Sequence, residues 1–216
     1  PGSNLVPGGE STQVRMVAET VTLTISQDPA DEKRAMAETR AVFTMRNLGT
    51  AEESMAVRFP LSFFDGASDG FFNYPELSSI AVKVDGKTVP TRREMQPFLA
   101  SQSNSSDRDE IPWSVFDVTF LPNQDVTIEV VYNVDGFGDY PYDVFKYVLE
   151  TGAGWNGTIG SAEIILHLPY EANTYNVWTE GVEGYGDATP GGVFSGNEVH
   201  WKYTELEPTF ENNLQF

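Results

Sequence analysis

One pattern recurs along this chain: apolar residues spaced two apart, in short runs cut off by turn-forming residues. Val21, Leu23 and Ile25 alternate with Thr22, Thr24 and Ser26. Ala37, Thr39, Ala41, Phe43 and Met45 share one face of the next run, with Glu38, Arg40, Thr44 and Arg46 on the other. Successive side chains of an extended strand point to opposite faces, so such runs are half-buried strands. Good helix formers over 35–40 offer a competing helix, which the strict alternation outweighs. Met55, Val57 and Phe59 continue the pattern up to Pro60, which has no N–H for a central ladder. Asp85-Gly86 supplies the positive φ angles of a type I′ hairpin between 80–84 and 87–92. Phe116, Val118 and Phe120 pair across a turn with Val126, Ile128, Val130 and Tyr132, and 144–149, 159–168, 175–179, 193–194 and 199–203 read as the remaining strands.

About a dozen strands without a long amphipathic helix predict an all-β fold: a β-sandwich of antiparallel strands, Ig-like or an extended double layer. The Pro/Gly/Ser-rich opening predicts a flexible lead or linker over 1–14, followed by one sandwich domain over 15–216. The Gly/Pro/Tyr stretch 136–142 is where that domain would divide if it were two. Residues 96–110 are polar and without pattern, the segment expected to move most.

A chain of 216 residues, 40% of them hydrophobic, can build one sizeable core. Thirteen Lys and Arg against 32 Asp and Glu give a net charge of −19. That surplus repels nucleic-acid phosphates and anionic membranes and favours a basic partner by long-range steering. Nothing approaches the ~20 consecutive apolar residues of a membrane span, so no direct membrane insertion by this segment is expected. With no cysteine, disulfides, thiolate metal sites and cysteine nucleophiles are excluded. The acidic balance and the richness in Ser, Thr, Asn, Gly and aromatic residues point outside the cytoplasm.

Four stretches together carry a resemblance: Phe43-x-Met45-x-Asn47 with Arg58-Phe59-Pro60; Trp113-x-x-Phe116-x-Val118-x-Phe120 leading to Val130-x-Tyr132; Tyr147-x-Leu149-x-Thr151-Gly152-Ala153-Gly154-Trp155-x-Gly157-x-Ile159; and Glu207-Pro208. From about residue 35 onward the chain resembles a family of uncharacterised bacterial cell-envelope proteins and similar modules of Gram-positive surface proteins. The resemblance implies a β-sandwich outside the cytoplasm, in the extracellular space or cell envelope, and implies no activity and no functional residues.

Candidate chemistry is sparse. The glycine-rich run 151–160 lacks the Lys-Ser/Thr ending of a phosphate loop and reads as a tight connection over which Trp155 packs. His167 and His200 lie on the polar faces of their strands and would meet only if those strands were neighbours. Among the acidic clusters, Asn133-x-Asp135 with Asp139 begins like a calcium loop, but Val144 stands where an EF-hand places its closing Glu. No cofactor is expected; calcium is the one these residues could take, and most of the acids read as a solvated surface. Aromatic loops make the better case: Phe63, Phe64, Phe71, Phe72 and Tyr74 crowd one loop, and Tyr140 and Tyr142 lie in another. Such rings stack on sugar faces or anchor a protein partner; the competing reading is a lid over an open core edge. The sequence thus predicts a non-enzymatic structural or protein-interaction module with a protein or glycan partner at the cell surface. A carbohydrate-binding module, with calcium fixing its loops, is the alternative, and an envelope hydrolase using a carboxylate pair is the third reading.

Overall fold

The computed structural model describes residues 2–8, 11–62, 76–77, 79–97, 110–138, 141–179, 189–209 and 212–216. In chain order the strands are β1 (Gly2–Ser3), β2 (Val6–Pro7), β3 (Val14–Gln27), β4 (Ala35–Asn47), β5 (Glu53–Pro60), β6 (Ala81–Val84), β7 (Lys87–Thr88), β8 (Arg92–Pro97), β9 (Glu110–Phe120) and β10 (Asp125–Asp135). They continue with β11 (Lys146–Val148), a 3₁₀ turn at Glu150–Gly154, β12 (Ile159–His167), β13 (Val193–Ser195), β14 (Glu198–Leu206) and β15 (Leu214–Gln215). The fold is an all-β sandwich. An eight-stranded sheet ordered β13-β14-β12-β3-β4-β10-β6-β7 packs with a four-stranded sheet, β2-β5-β9-β8, and a three-stranded one, β1-β11-β15.

The alternation seen in the sequence does the packing. Val21, Leu23, Ala37, Ala41, Phe43, Ile128, Val130, Ile164 and Trp201 of the large sheet bury against Val57, Phe59, Phe116 and Phe120 of the small one, and Leu5, Tyr147, Leu149 and Leu214 join the same cluster. Residues 35–47 are a strand throughout, as the alternation required, paired residue for residue with β3 and β10. Asp85 and Gly86 both have positive φ, 49° and 75°, and close the β6–β7 hairpin as expected.

Four details depart from the sequence reading. Pairing is antiparallel except that β12 runs parallel to β3 and β1 parallel to β11. Residues 87–92 do not continue as one strand: β7 ends at Thr88 in the large sheet and β8 starts at Arg92 in the small one. Residues 175–179 are not a strand, because Asn side chains take over the backbone: Asn173 Oδ1 accepts from Tyr175 N and Asn176 Oδ1 accepts from Asn173 N, both at 2.9 Å, which closes a turn. The fourth concerns the opening residues. Instead of leading in loosely, residues 2–7 form β1 and β2, Leu5 is fully buried, and Trp155 Nε1 donates to Leu5 O at 2.8 Å. Gly152 and Gly154 make this seat: a Cβ on them would stand 2.7 Å from Asn4 Nδ2 and 3.0 Å from Pro7 Cδ. The Thr-Gly-Ala-Gly-Trp run is therefore a docking surface for the protein's own first residues, a closer form of the tight connection expected of it.

Candidate functional site

Strand direction gathers the candidate residues. β12 is parallel to β3, and β10 is antiparallel to β4, which is antiparallel to β3, so β3, β10 and β12 all finish at one end of the large sheet. The turn 28–34, the connections following β10 and β12, and the β13–β14 hairpin turn meet there. Tyr142 lies in the β10–β11 connection and is 47% exposed. Its ring meets that of Trp178, from the connection after β12, with centroids 4.6 Å apart and planes at 37°. Tyr170 and Tyr175 belong to the same connection as Trp178, and Tyr175, carried on the Asn-closed turn, is 95% exposed.

The loop under Tyr142 is held firmly. Asp143 accepts from Arg34 Nη1 at 3.2 Å and from Ala35 N at 2.8 Å, and Arg34 also donates to Gly138 O at 2.7 Å. Phe137 and Val144 exchange backbone hydrogen bonds at the neck of the loop. Gly136 sits at this crossing, where a Cβ would come within 2.9 Å of both Ala35 O and Asp143 Cβ. The rings are therefore displayed from a fixed base, which lowers the entropy lost when a ligand orders them.

Of the calcium-loop residues, Asn133 and Asp135 are exposed on the outer face of β10, two apart, and the nearby carboxylate of Asp143 is spent on Arg34 and Ala35. Asp139 lies outside the described residues, as do Phe63, Phe64, Phe71, Phe72, Tyr74 and Tyr140. The two histidines are on neighbouring strands, β12 and β14, at the same end. Their rings turn to carboxylates, and both meet Glu198. His200 Nδ1 is 3.0 Å from Glu163 and its Nε2 2.9 Å from Glu198, while His167 Nδ1 is 3.2 Å from Glu198. These contacts hold both carboxyls below their ordinary range: His200, then Lys202, act on Glu163, and His167, then His200, on Glu198. Among the described residues no group of three His, Cys, Asp or Glu could hold a metal ion.

A second polar centre, inside the core, escaped the sequence reading. The β3 ladder slips between Met16 and Ala18, a β-bulge at Val17. With it the inward phase moves from Val14 and Met16 to the odd positions, so Glu19 points into the core beside Val21 and is 2% exposed. Tyr147 Oη donates to Glu19 Oε1 at 2.7 Å; Oε2 has no partner among the described residues. Burial pushes the Glu19 carboxyl up to about 7, partly offset by its contacts with Tyr147 and Asn4. The Tyr132 and Tyr147 phenols are both pushed up, first by burial and then, among other contributions, by the charge of Glu19. The signal was present in the sequence, since Val14 and Met16 are out of phase with Val21, Leu23 and Ile25, and a phase change within one strand requires a bulge.

No family model and no curated protein matches this chain. Solved structures do. A candidate nutrient-binding protein from Legionella pneumophila superposes on 99% of this chain and 69% of its own with a TM-score of 0.76, at 19% identity. An M1 zinc metallopeptidase from Deinococcus radiodurans is similar over 97% of this chain but only 43% of the enzyme, with a TM-score of 0.41 at 10% identity, and bears on nothing below. The first likeness extends over essentially the whole chain, so the three-sheet arrangement is a fold shared with that protein.

Proposed function

We propose that this chain is a non-enzymatic binding module of a bacterial envelope protein, and that the end of the sandwich carrying Tyr142 and Trp178 is its binding surface. The observation that carries the reading is the exposed Tyr142 ring, held beside the half-buried Trp178 ring on a loop clamped by Asp143. The rings stand in an acidic setting. Asp31, Glu32, Asp135 and Glu171 are exposed at this end and outnumber the exposed Lys33, while Arg34 is committed to Asp143. Aromatic faces in a negative field attract cationic groups, so the partner that fits is a protein or peptide surface bearing Lys or Arg. The likeness to a candidate nutrient-binding protein supports binding as the general role, and the resemblance of the 147–159 stretch to envelope modules supports the compartment. The same two rings favour a second reading, stacking on the face of a sugar.

Titration calorimetry with a lysine-rich peptide and with neutral oligosaccharides, on the wild type and on Tyr142→Ala and Trp178→Ala, separates the readings. The peptide is expected to bind and each substitution to weaken it by about tenfold, in line with a cation–π contact of ~1–2 kcal/mol. Binding of the sugars alone, lost in the same variants, would transfer the site to the glycan reading. Peptide binding indifferent to both substitutions would remove the site from this end.

A further inference from the structure

Glu19 is a carboxyl inside a hydrocarbon core, and the backbone is built to keep it there. The bulge at Val17 turns it inward. Gly160 on the neighbouring strand makes room for the bulge: a Cβ there would stand 2.4 Å from Val17 O. Tyr147 holds one oxygen. The other, Oε2, and Asn4 Oδ1 have no hydrogen-bond partner among the described residues; the Asn4 amide gives one of its two protons to Leu149 O at 3.0 Å, and its side chain lies against the Glu19 carboxyl as a contact that favours the charged form. Protonating the carboxyl turns an acceptor into a donor. Ionising it instead leaves a buried charge held by Tyr147 and the side-chain contact of Asn4 but with Oε2 unpartnered, and that charge draws in water.

The route for water is set by the weakest cover. On its own sheet Glu19 is flanked by β4 and β12, whose ladders to β3 run without a break from Ala18 onward, beyond the bulge at Val17. Toward the other side stands Asn4, whose side chain contacts Glu19, on a segment held by two strands of two residues each. Beyond the short β1–β11 and β2–β5 pairings, that segment is tied by Asn4 N to Val148 O, Asn4 Nδ2 to Leu149 O, Thr151 Oγ1 to Asn4 O and Trp155 Nε1 to Leu5 O.

We propose that Glu19 is a proton-controlled latch: as the neutral acid it keeps residues 2–7 seated against the Glu150–Gly154 turn, and on ionisation it releases them. The ionisable groups facing it are Tyr147 from β11 and Tyr132 from β10, phenols that stay neutral through the same range. Because the carboxyl titrates near 7 when the segment is seated and nearer its ordinary 4.5 when it is released, the latch loosens as pH rises between those values and no further above about 7. Opening frees the edge of β11 that β1 covers and the edge of β5 that β2 covers.

Hydrogen exchange of the Asn4 amide between pH 5.5 and 8.5, corrected for intrinsic exchange, tests this on the wild type and on Glu19→Gln, which keeps a neutral hydrogen-bonding group. Wild-type protection of residues 2–7 should fall from pH 5.5 to about 7 by at most tenfold per pH unit, the limit for one proton, and level off above it, while β4 and β10 keep theirs; in Glu19→Gln it should stay level. Level protection in the wild type, an equal slope in the variant, or loss in β4 and β10 together with the segment would each overturn the latch. Should the variant not fold, the carboxyl carbon resonance of Glu19 in the wild type decides: its midpoint must coincide with the pH at which the loss of protection levels off, and a separation of more than about one unit rejects the proposal.

Discussion

At the scale of single residues, Glu19 is the group whose chemistry is most altered by the fold. Its native carboxyl titrates near 7 against an ordinary value of 4.5. The native state therefore holds a proton that the unfolded chain has already lost between those values. Below 4.5 both states are protonated and the shift costs nothing; as pH rises through 7 the stability is lost, up to about 3 kcal/mol at ~1.4 kcal/mol per unit. Glu19→Gln cannot titrate and is spared the loss. Urea unfolding should find the variant's advantage over the wild type growing by about 3 kcal/mol between pH 4 and pH 8. Curves that stay parallel over this range would mean that the carboxylate is solvated in the native state and that its burial has no energetic consequence.

Among the elements, the β3–β12 pairing is where local backbone geometry decides what the core contains. A bulge is stable only if the opposite strand can receive its extra carbonyl, and Gly160 alone lacks the Cβ that would sit 2.4 Å from it. Gly160→Ala should cost ~2 kcal/mol, the scale of overpacking that the backbone must relieve. Gly157→Ala is the control: its φ of 69° is left-handed but open space surrounds it, so it should cost only about 1 kcal/mol. If Gly160→Ala were the milder of the two, the glycine would not be what admits the bulge. The same strands mark how far the sequence could be read. β4, β10 and residues 116–120 of β9 were legible because one face is buried at every second residue and a one-residue slip would expose all of it, whereas residues 111–116 are buried on both faces and carry no alternation. The bulge was legible only as a phase change between Met16 and Val21. The seating of residues 2–7 was not legible, because Gly, Ser, Pro and Asn there answer to Gly152 and Gly154, some 150 residues away, rather than to any local preference. The meeting of Tyr142 with Trp178 depends on the parallel direction of β10 and β12, which no local pattern encodes.

For the whole molecule the governing quantity is the charge of −19, and how it is distributed decides its effect. Arg15, Arg34, Arg40, Arg46, Lys83, Arg92, Arg93 and Lys202 each stand against a carboxylate, several of them across neighbouring strands, as Arg40 and Lys83 do on either side of Glu129. The bases are thus largely neutralised at contact distance, where screening by salt is weak, and the remaining acids repel one another over longer distances, where it is strong. Raising ionic strength from about 0.01 to 0.15 M shortens the screening length from ~30 to ~8 Å. It should relieve the repulsion more than it weakens the pairs. Thermal unfolding at pH 8 is expected to move up by about 2–4 °C, the equivalent of roughly 1 kcal/mol for a chain of this size. The same screening should slow association with the lysine-rich peptide in stopped-flow measurements without altering the contact of its cation with the two rings. A melting temperature that falls with salt would show that the ion pairs outweigh the surplus, and would withdraw the negative field as the force that brings a basic partner to the Tyr142 and Trp178 surface.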